Sequence, residues 1–135
     1  MYACIQMGQL TLRAAMDFLN TAFNEIELEM VNSNMNRDPV FLLYVGEVNQ
    51  YFTSNAARKC VATDYAVAQG ATNRVKDFRD TSEPTCSWWL GETPKGFNSD
   101  SAVYVRFDGQ VMDDGIYNNH VHNGVRPAMW ISLDY

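Results

Sequence analysis

The chain has 135 residues, 47% hydrophobic and 13% aromatic, which is one domain's worth of sequence with ample apolar material for a core and excludes intrinsic disorder. Ten Lys plus Arg stand against 16 Asp plus Glu, a formal charge of -6, so nucleic acid and anionic membranes, which need a basic footprint, are excluded as default partners. No apolar run reaches the ~18–20 residues that insert across a bilayer, and Met1-Tyr2-Ala3-Cys4-Ile5-Gln6-Met7 has neither the basic nor the apolar region of a signal peptide; the compartment stays open, with a cell surface or particle reached through a larger assembly.

In residues 11–31, Leu12, Ala15, Met16, Leu19, Phe23, Ile26 and Met30 recur at steps of three and four, which predicts amphipathic helix with Thr11 as N-cap. Asn24 followed by Glu27 resembles a capping box and splits the stretch into two helices. Residues 32–39 read as a polar loop ending in Asp38-Pro39, and the apolar run 40–44 as a buried strand. Short helices are predicted over 46–52, 54–60 and 63–69, with Ser54 and Thr63 as caps and Gly70 as a stop.

Residues 71–85, carrying Arg74, Lys76, Asp77, Arg79, Asp80 and Glu83, read as an exposed loop. Ser87-Trp88-Trp89-Leu90 then opens a β region. Residues 102–107 alternate, Asp108-Gly109 is the favoured two-residue hairpin turn, and 110–112 return. Residues 113–124 are turn-rich, and 125–133 form a last strand with Pro127 near its start. Cys4, Cys60 and Cys86 are an odd, widely spaced set that fits buried thiols, with one bridge left open for an oxidising compartment. Together these elements predict a single α+β domain over residues 1–135, with N-terminal helices packed on a small antiparallel β region that includes a C-terminal hairpin.

An ordered set of short motifs carries a resemblance. Leu12-Arg13, the run from Phe18 to Phe23, Glu27, Tyr51-Phe52, Ala62-Thr63-Asp64-Tyr65-Ala66 with Gly70, Trp88-Trp89-Leu90 and the run from Gly124 to Ile131 resemble an uncharacterised bacterial family, number 6273 of the domain-of-unknown-function series, common in gut Firmicutes and their phages. The last two are the most specific. The chain departs from that pattern twice, having only residues 2–7 where members carry an extra N-terminal β segment, and Gly91-Glu92-Thr93-Pro94-Lys95-Gly96 where members follow Trp-Trp-Leu with Arg-Ser-Pro-Gly. The family is similar in layout to the C-type-lectin-like fold of formylglycine-generating enzymes and of the variable proteins of diversity-generating retroelements. In those variable proteins the diversified residues lie late in the chain, and residues 98–123 occupy the matching place.

Within that stretch Tyr117, Asn118, Asn119, His120 and His122 combine rigid amphipathic rings with adaptable hydrogen bonding, the mixture found in paratopes. Asn98, Tyr104 and Arg106 extend the set, the last two sharing one strand face. An ordinary polar turn region would have a similar composition. For a metal, His120 and His122 have only Asp113 and Asp114 near in sequence as further ligands, and the Glu-Pro-Asn and Trp-Asn-Asp motifs of calcium-binding lectins are replaced by Glu83-Pro84-Thr85 and Trp88-Trp89, so neither a metal nor any cofactor is expected. Trp88, Trp89 and Trp130 read as structural, one of the first pair facing inward, and Arg126 as the anchor of an ion pair or hydrogen bonds. No Gly-x-Ser-x-Gly elbow, phosphate loop or His-Glu-x-x-His appears, and no cysteine follows Cys86 to provide the late pair of the formylglycine-generating enzymes. The expectation is a non-enzymatic domain that binds a protein or surface glycan through residues 98–123, either alone or as a homo-oligomer; the alternative is a structural or assembly module of a cell surface or phage particle.

Overall fold

A computed structural model describes residues 40–96, 101–117 and 122–129. The described residues fall into two units, residues 42–126 in the first and residues 40–41 and 127–129 in the second. The predicted helices of residues 11–31, Cys4 and the end of the last predicted strand lie outside the described residues. What is described is mixed α and β, with three short helices, small antiparallel sheets and no barrel: β1 (Phe41–Leu42), α1 (Val45–Tyr51), α2 (Asn55–Arg58), α3 (Asp64–Ala68), β2 (Asn73–Arg74), β3 (Thr85–Cys86), β4 (Trp88–Trp89), β5 (Ser101–Val105), β6 (Val111–Tyr117) and β7 (Pro127–Ala128). β1 and β7 pair as a two-stranded ladder. The strand expected over residues 40–44 is thus only two residues long and half-buried, although Val40 and Leu43 beside it are buried.

The helices of the first unit start where local chemistry supplies acceptors for their unpaired N–H groups. Ser54 Oγ accepts from Ala57 N at 3.1 Å, and Thr63 Oγ1 from Ala66 N at 3.2 Å. Gly70, at φ 111°, ends α3 in a conformation costly for other residues. Helix α1 has no such cap residue. Instead Glu47 reaches back to Tyr44 N at 2.8 Å, and the Glu92 carboxylate accepts from Val45 N. Gly91 makes this approach feasible: its N–H donates to Leu43 O at 3.0 Å, and a Cβ there would lie 2.5 Å from the Tyr44 ring. Gly91-Glu92 therefore ties the segment after the tryptophans to the start of α1.

The centre of this unit is Trp88, which is fully buried. Its indole N–H donates to Arg58 O at 3.0 Å, so the polar end of the ring is satisfied by the last residue of α2. Phe52 meets the indole edge-on, 6.4 Å between centroids, and the Arg126 guanidinium lies over both rings, 4.7 Å from Phe52 and 4.9 Å from Trp88. Arg126 is 6% exposed. Two aromatic faces thus surround a cation that the sequence alone assigned to an ion pair or hydrogen bonds. Gly124 holds this arrangement from the other side, pairing in parallel with Trp88 through Trp89 N to Gly124 O at 3.0 Å and Gly124 N to Ser87 O at 2.7 Å. A neighbouring cluster of small residues, Ala62, Ala66, Ala71 and Cys86, packs α3 against β3. Cys60 and Cys86 are both buried, and their sulphurs donate to carbonyls of Val61 and of Ser87 and His122.

Strands β4, β5 and β6 form an antiparallel sheet in that order. Trp88 pairs with Val105 and Val105 with Val111; Trp89 pairs with Tyr104 and Tyr104 with Met112. Alternation along β5 buries Ser101, Val103 and Val105 and leaves Ala102 and Tyr104 half-exposed. The hairpin is correct in place but differs in its turn. Arg106 N donates to Gln110 O at 2.8 Å and Gly109 N to Arg106 O at 2.8 Å, so the loop is Phe107-Asp108-Gly109, three residues with glycine at φ 87°. The tip rests on α2, where Arg58 Nη1 reaches Gly109 O at 3.5 Å.

Strand β6 also outlasts its prediction. It runs to Tyr117 through a bulge in which Asp113, Asp114 and Gly115 oppose Val103 alone, and Gly115 adopts φ 70° against Pro94 and Ala102.

Residues 71–85 are less irregular than expected, because β2 and β3 pair, Asn73 with Cys86 and Arg74 with Thr85, and close a surface loop between them. Asp80 organises that loop. Its carboxylate accepts from the Ser82 hydroxyl at 2.6 Å, the Ser82 amide at 2.9 Å and the Lys76 amide at 3.2 Å, while Asp77 accepts from Arg79 N at 2.8 Å. Phe78 is left 90% exposed, with the Arg79 guanidinium 5.2 Å from its ring.

Two measurements follow from this frame. A Cβ at residue 109 would fall 1.9 Å from Asn55 O, so Gly109→Ala lowers the urea-denaturation midpoint by an amount worth about 2 kcal/mol or more; wild-type stability in that variant would show that the tip does not rest on α2. The bonds from Ser82 first, and then from Lys76, hold the Asp80 carboxyl at about 2 instead of 3.8. A depressed carboxylate stabilises above its ordinary value and ceases to as pH falls through its folded one, so the carboxyl resonance of Asp80 and the amide resonances of Lys76 and Ser82 titrate together near pH 2. A midpoint at the ordinary value would disprove these bonds.

Candidate ligand-binding face

The two faces of the three-stranded sheet are chemically unlike. Trp88 and Val105 point into the core. On the opposite face Trp89, Tyr104 and Met112 lie directly across from one another, one from each strand, and all three are half-buried. The Trp89 and Tyr104 rings meet edge to face at 6.1 Å and 68°, a favoured geometry for aromatic pairs. Ala102 and Ile116 form the next pair along and are also half-buried. The result is a partly exposed aromatic and aliphatic row on regular strands, where side chains are held more rigidly than on loops.

Charge is arranged around this row. Arg106 follows the end of β5, two residues after Tyr104, and its guanidinium is folded onto the hairpin loop: Nε donates to Asp108 Oδ1 at 3.0 Å, Nη2 pairs with Asp108 Oδ2, and Nη2 also donates to Gln110 Oε1 at 2.9 Å. The bond from Arg106 holds the Asp108 carboxyl below the usual range. Asp113 and Asp114, carried out of the ladder by the bulge, are exposed. Among the described residues neither carboxylate meets a cation or a hydrogen-bond donor. Burial pushes the Tyr104 phenol above its ordinary value, and the negative charge of Asp114 adds to that.

The residues singled out from sequence fall in different places. Tyr104 stands on this face, and Arg106 lies just past the end of β5. His122 is exposed, but its Nδ1 lies 3.1 Å from Thr72 Oγ1 and its carbonyl accepts from Thr72 N at 3.1 Å, so it is fastened to the segment after α3. Tyr117 ends β6 opposite Ser101. Asn98, Asn118, Asn119, His120 and Trp130 lie outside the described residues. Trp89, which the sequence assigns a structural role, stands on this face, and Met112, Asp113 and Asp114 fall inside the stretch 98–123 without being singled out there as contacts. The hairpin register would have located Met112: a two-residue turn pairs Tyr104 with Asp113, whereas the three-residue loop pairs it with Met112.

Among the described residues no three His, Cys, Asp or Glu side chains gather to hold a metal ion, and no helix is long and apolar enough to cross a membrane.

Replacing Asp114 by Asn removes one of the three causes that raise the Tyr104 phenol, while burial, the largest, and the charge of Asp108 stay. Its ultraviolet titration midpoint then moves down toward the ordinary tyrosine value without reaching it. An unmoved midpoint would remove Asp114 from this face.

A family model described as a domain of unknown function (DUF6273) matches residues 17–133. No curated protein and no solved structure matches the chain.

Proposed function

Because the chain belongs to the DUF6273 family, we propose that this family member is a non-catalytic recognition domain, and that the Trp89–Tyr104–Met112 face with the segments flanking it contacts a protein or surface glycan. The half-exposed aromatic row carries this reading. Tyr and Trp supply large contact area at small cost in side-chain entropy, and here they are set on a sheet whose opposite face is tied to the Trp88 core. The bulge residues Asp113 and Asp114 follow Met112 directly and are exposed, so changes there need not disturb the frame. We extend the proposal to a C-type-lectin-like domain of the kind that diversity-generating retroelements vary, with residues 98–123 as the varied stretch. The order of motifs and the Tyr, Asn and His content of that stretch support the extension.

Two experiments test these readings. Tyr104→Ser, purified with an unchanged circular-dichroism spectrum, keeps the parent's hydrodynamic size and loses about tenfold or more of its retention on an array of bacterial surface glycans and proteins that retains the parent. Loss of an oligomer with retention intact would favour an assembly module instead. For the finer reading, sequences from one locus show variation concentrated between residues 98 and 123 beside a reverse transcriptase gene and a template copy; uniform variation without either would remove it.

A further inference from the structure

We propose that the partner of this face is a basic segment of a protein, with a lysine or arginine side chain laid against Trp89 and Tyr104 and its charge met by Asp113 and Asp114. The inference rests on the recognition reading above and adds the chemical class of the ligand. Three observations carry it. First, the row brings together a half-buried tryptophan and a half-buried tyrosine that meet edge to face, ring types that attract cations. Second, the only described carboxylates carried out by the β6 bulge, Asp113 and Asp114, are exposed and have no partner among the described residues. Gly115 fixes the bulge, since a side chain there would collide with Pro94 and with Ala102 O, so the two charges are displayed at a set position. Third, Arg106 is neutralised by Asp108 and further held by Gln110, so this cation, two residues from Tyr104, neither repels a basic ligand nor remains available for an anionic one.

The chain as a whole adds a long-range bias in the same direction, because a formal charge of -6 raises the encounter rate with cations. A neutral glycan would stack on the same rings yet leave two carboxylates unmatched. An anionic glycan would be repelled by them.

The test uses the purified full chain, isotopically labelled, titrated with an acetylated and amidated hexa-arginine peptide and, separately, with maltohexaose, following the amide and indole resonances. The expected result is saturable binding of the peptide that shifts the Trp89 indole and the amides of Tyr104 and Met112 and weakens as salt screens the charges. The double variant Asp113→Asn, Asp114→Asn weakens it roughly tenfold or more, while Asp64→Asn with Glu83→Gln, which removes two exposed carboxylates elsewhere, leaves it unchanged. Equal weakening by both double variants, or shifts that miss the row, would overturn the inference by reducing the binding to diffuse charge. Maltohexaose shifting the row while the peptide does not would also overturn it, and would leave the recognition reading standing. Should neither probe shift the row and Tyr104→Ser keep full retention on the array, both would fall.

Discussion

Burying an indole is worthwhile only if its N–H finds an acceptor and its faces find contacts, and the first unit is organised around meeting both needs for Trp88. The acceptor is the carbonyl that ends α2. The faces are shared with Phe52 from the end of α1 and Arg126 from the segment leading to β7. Because Trp88 is also a residue of β4, this one side chain couples two helices, the sheet and the late Gly124–Arg126 segment. Loss of such a ring in a packed core costs about 3–5 kcal/mol, and here the guanidinium stacked on it would lose its cover as well. Arginine suits that place better than lysine, since a planar, weakly hydrated cation stacks on a ring where an ammonium would not.

How much of this was legible in the sequence depended on distance along the chain. Ser54 and Thr63 were readable as caps because each accepts from an amide three residues on. The helix over 46–52 was read to within a residue of α1, but the Glu92 acceptor at its start was not, because it lies 47 residues away. The Asp108-Gly109 signal located the hairpin, but the extra loop residue shifted the register by one, and with a side-chain period of two that decides which residues stand beside Tyr104. Asp113-Asp114-Gly115 carries every mark of a turn and instead sits inside a strand, where a positive-φ glycine serves a bulge as well as it serves a turn. Of the candidate site, the half-exposed place of Tyr104 was legible from alternation. The capture of Arg106 by its own hairpin loop was not, since Asp108 had been read only as a turn residue.

The two faces of one short sheet divide the work of the molecule. The inner face is committed to Trp88, Val105 and the small-residue packing beyond it, where a change of one methyl group is felt. The outer face is half-exposed, carries rings whose energetics depend on what is laid over them, and is edged by carboxylates that the fold itself does not use. The buried and the half-exposed side of the sheet are therefore occupied by neighbouring residues in sequence, Trp88 and Trp89, that strand geometry sends in opposite directions.

The bulge in β6 has an evolutionary side. Where a ladder is regular, every residue is both a hydrogen-bonding unit and a member of one face, and inserting one turns all that follow to the other face. Three residues opposing one at Asp113, Asp114 and Gly115 break that bookkeeping, so the first two positions are released from pairing while Met112 and Ile116 on either side keep theirs. Such a site behaves as an expansion joint: mutation can explore new charge and shape there generation after generation, and the strands to left and right stay in step.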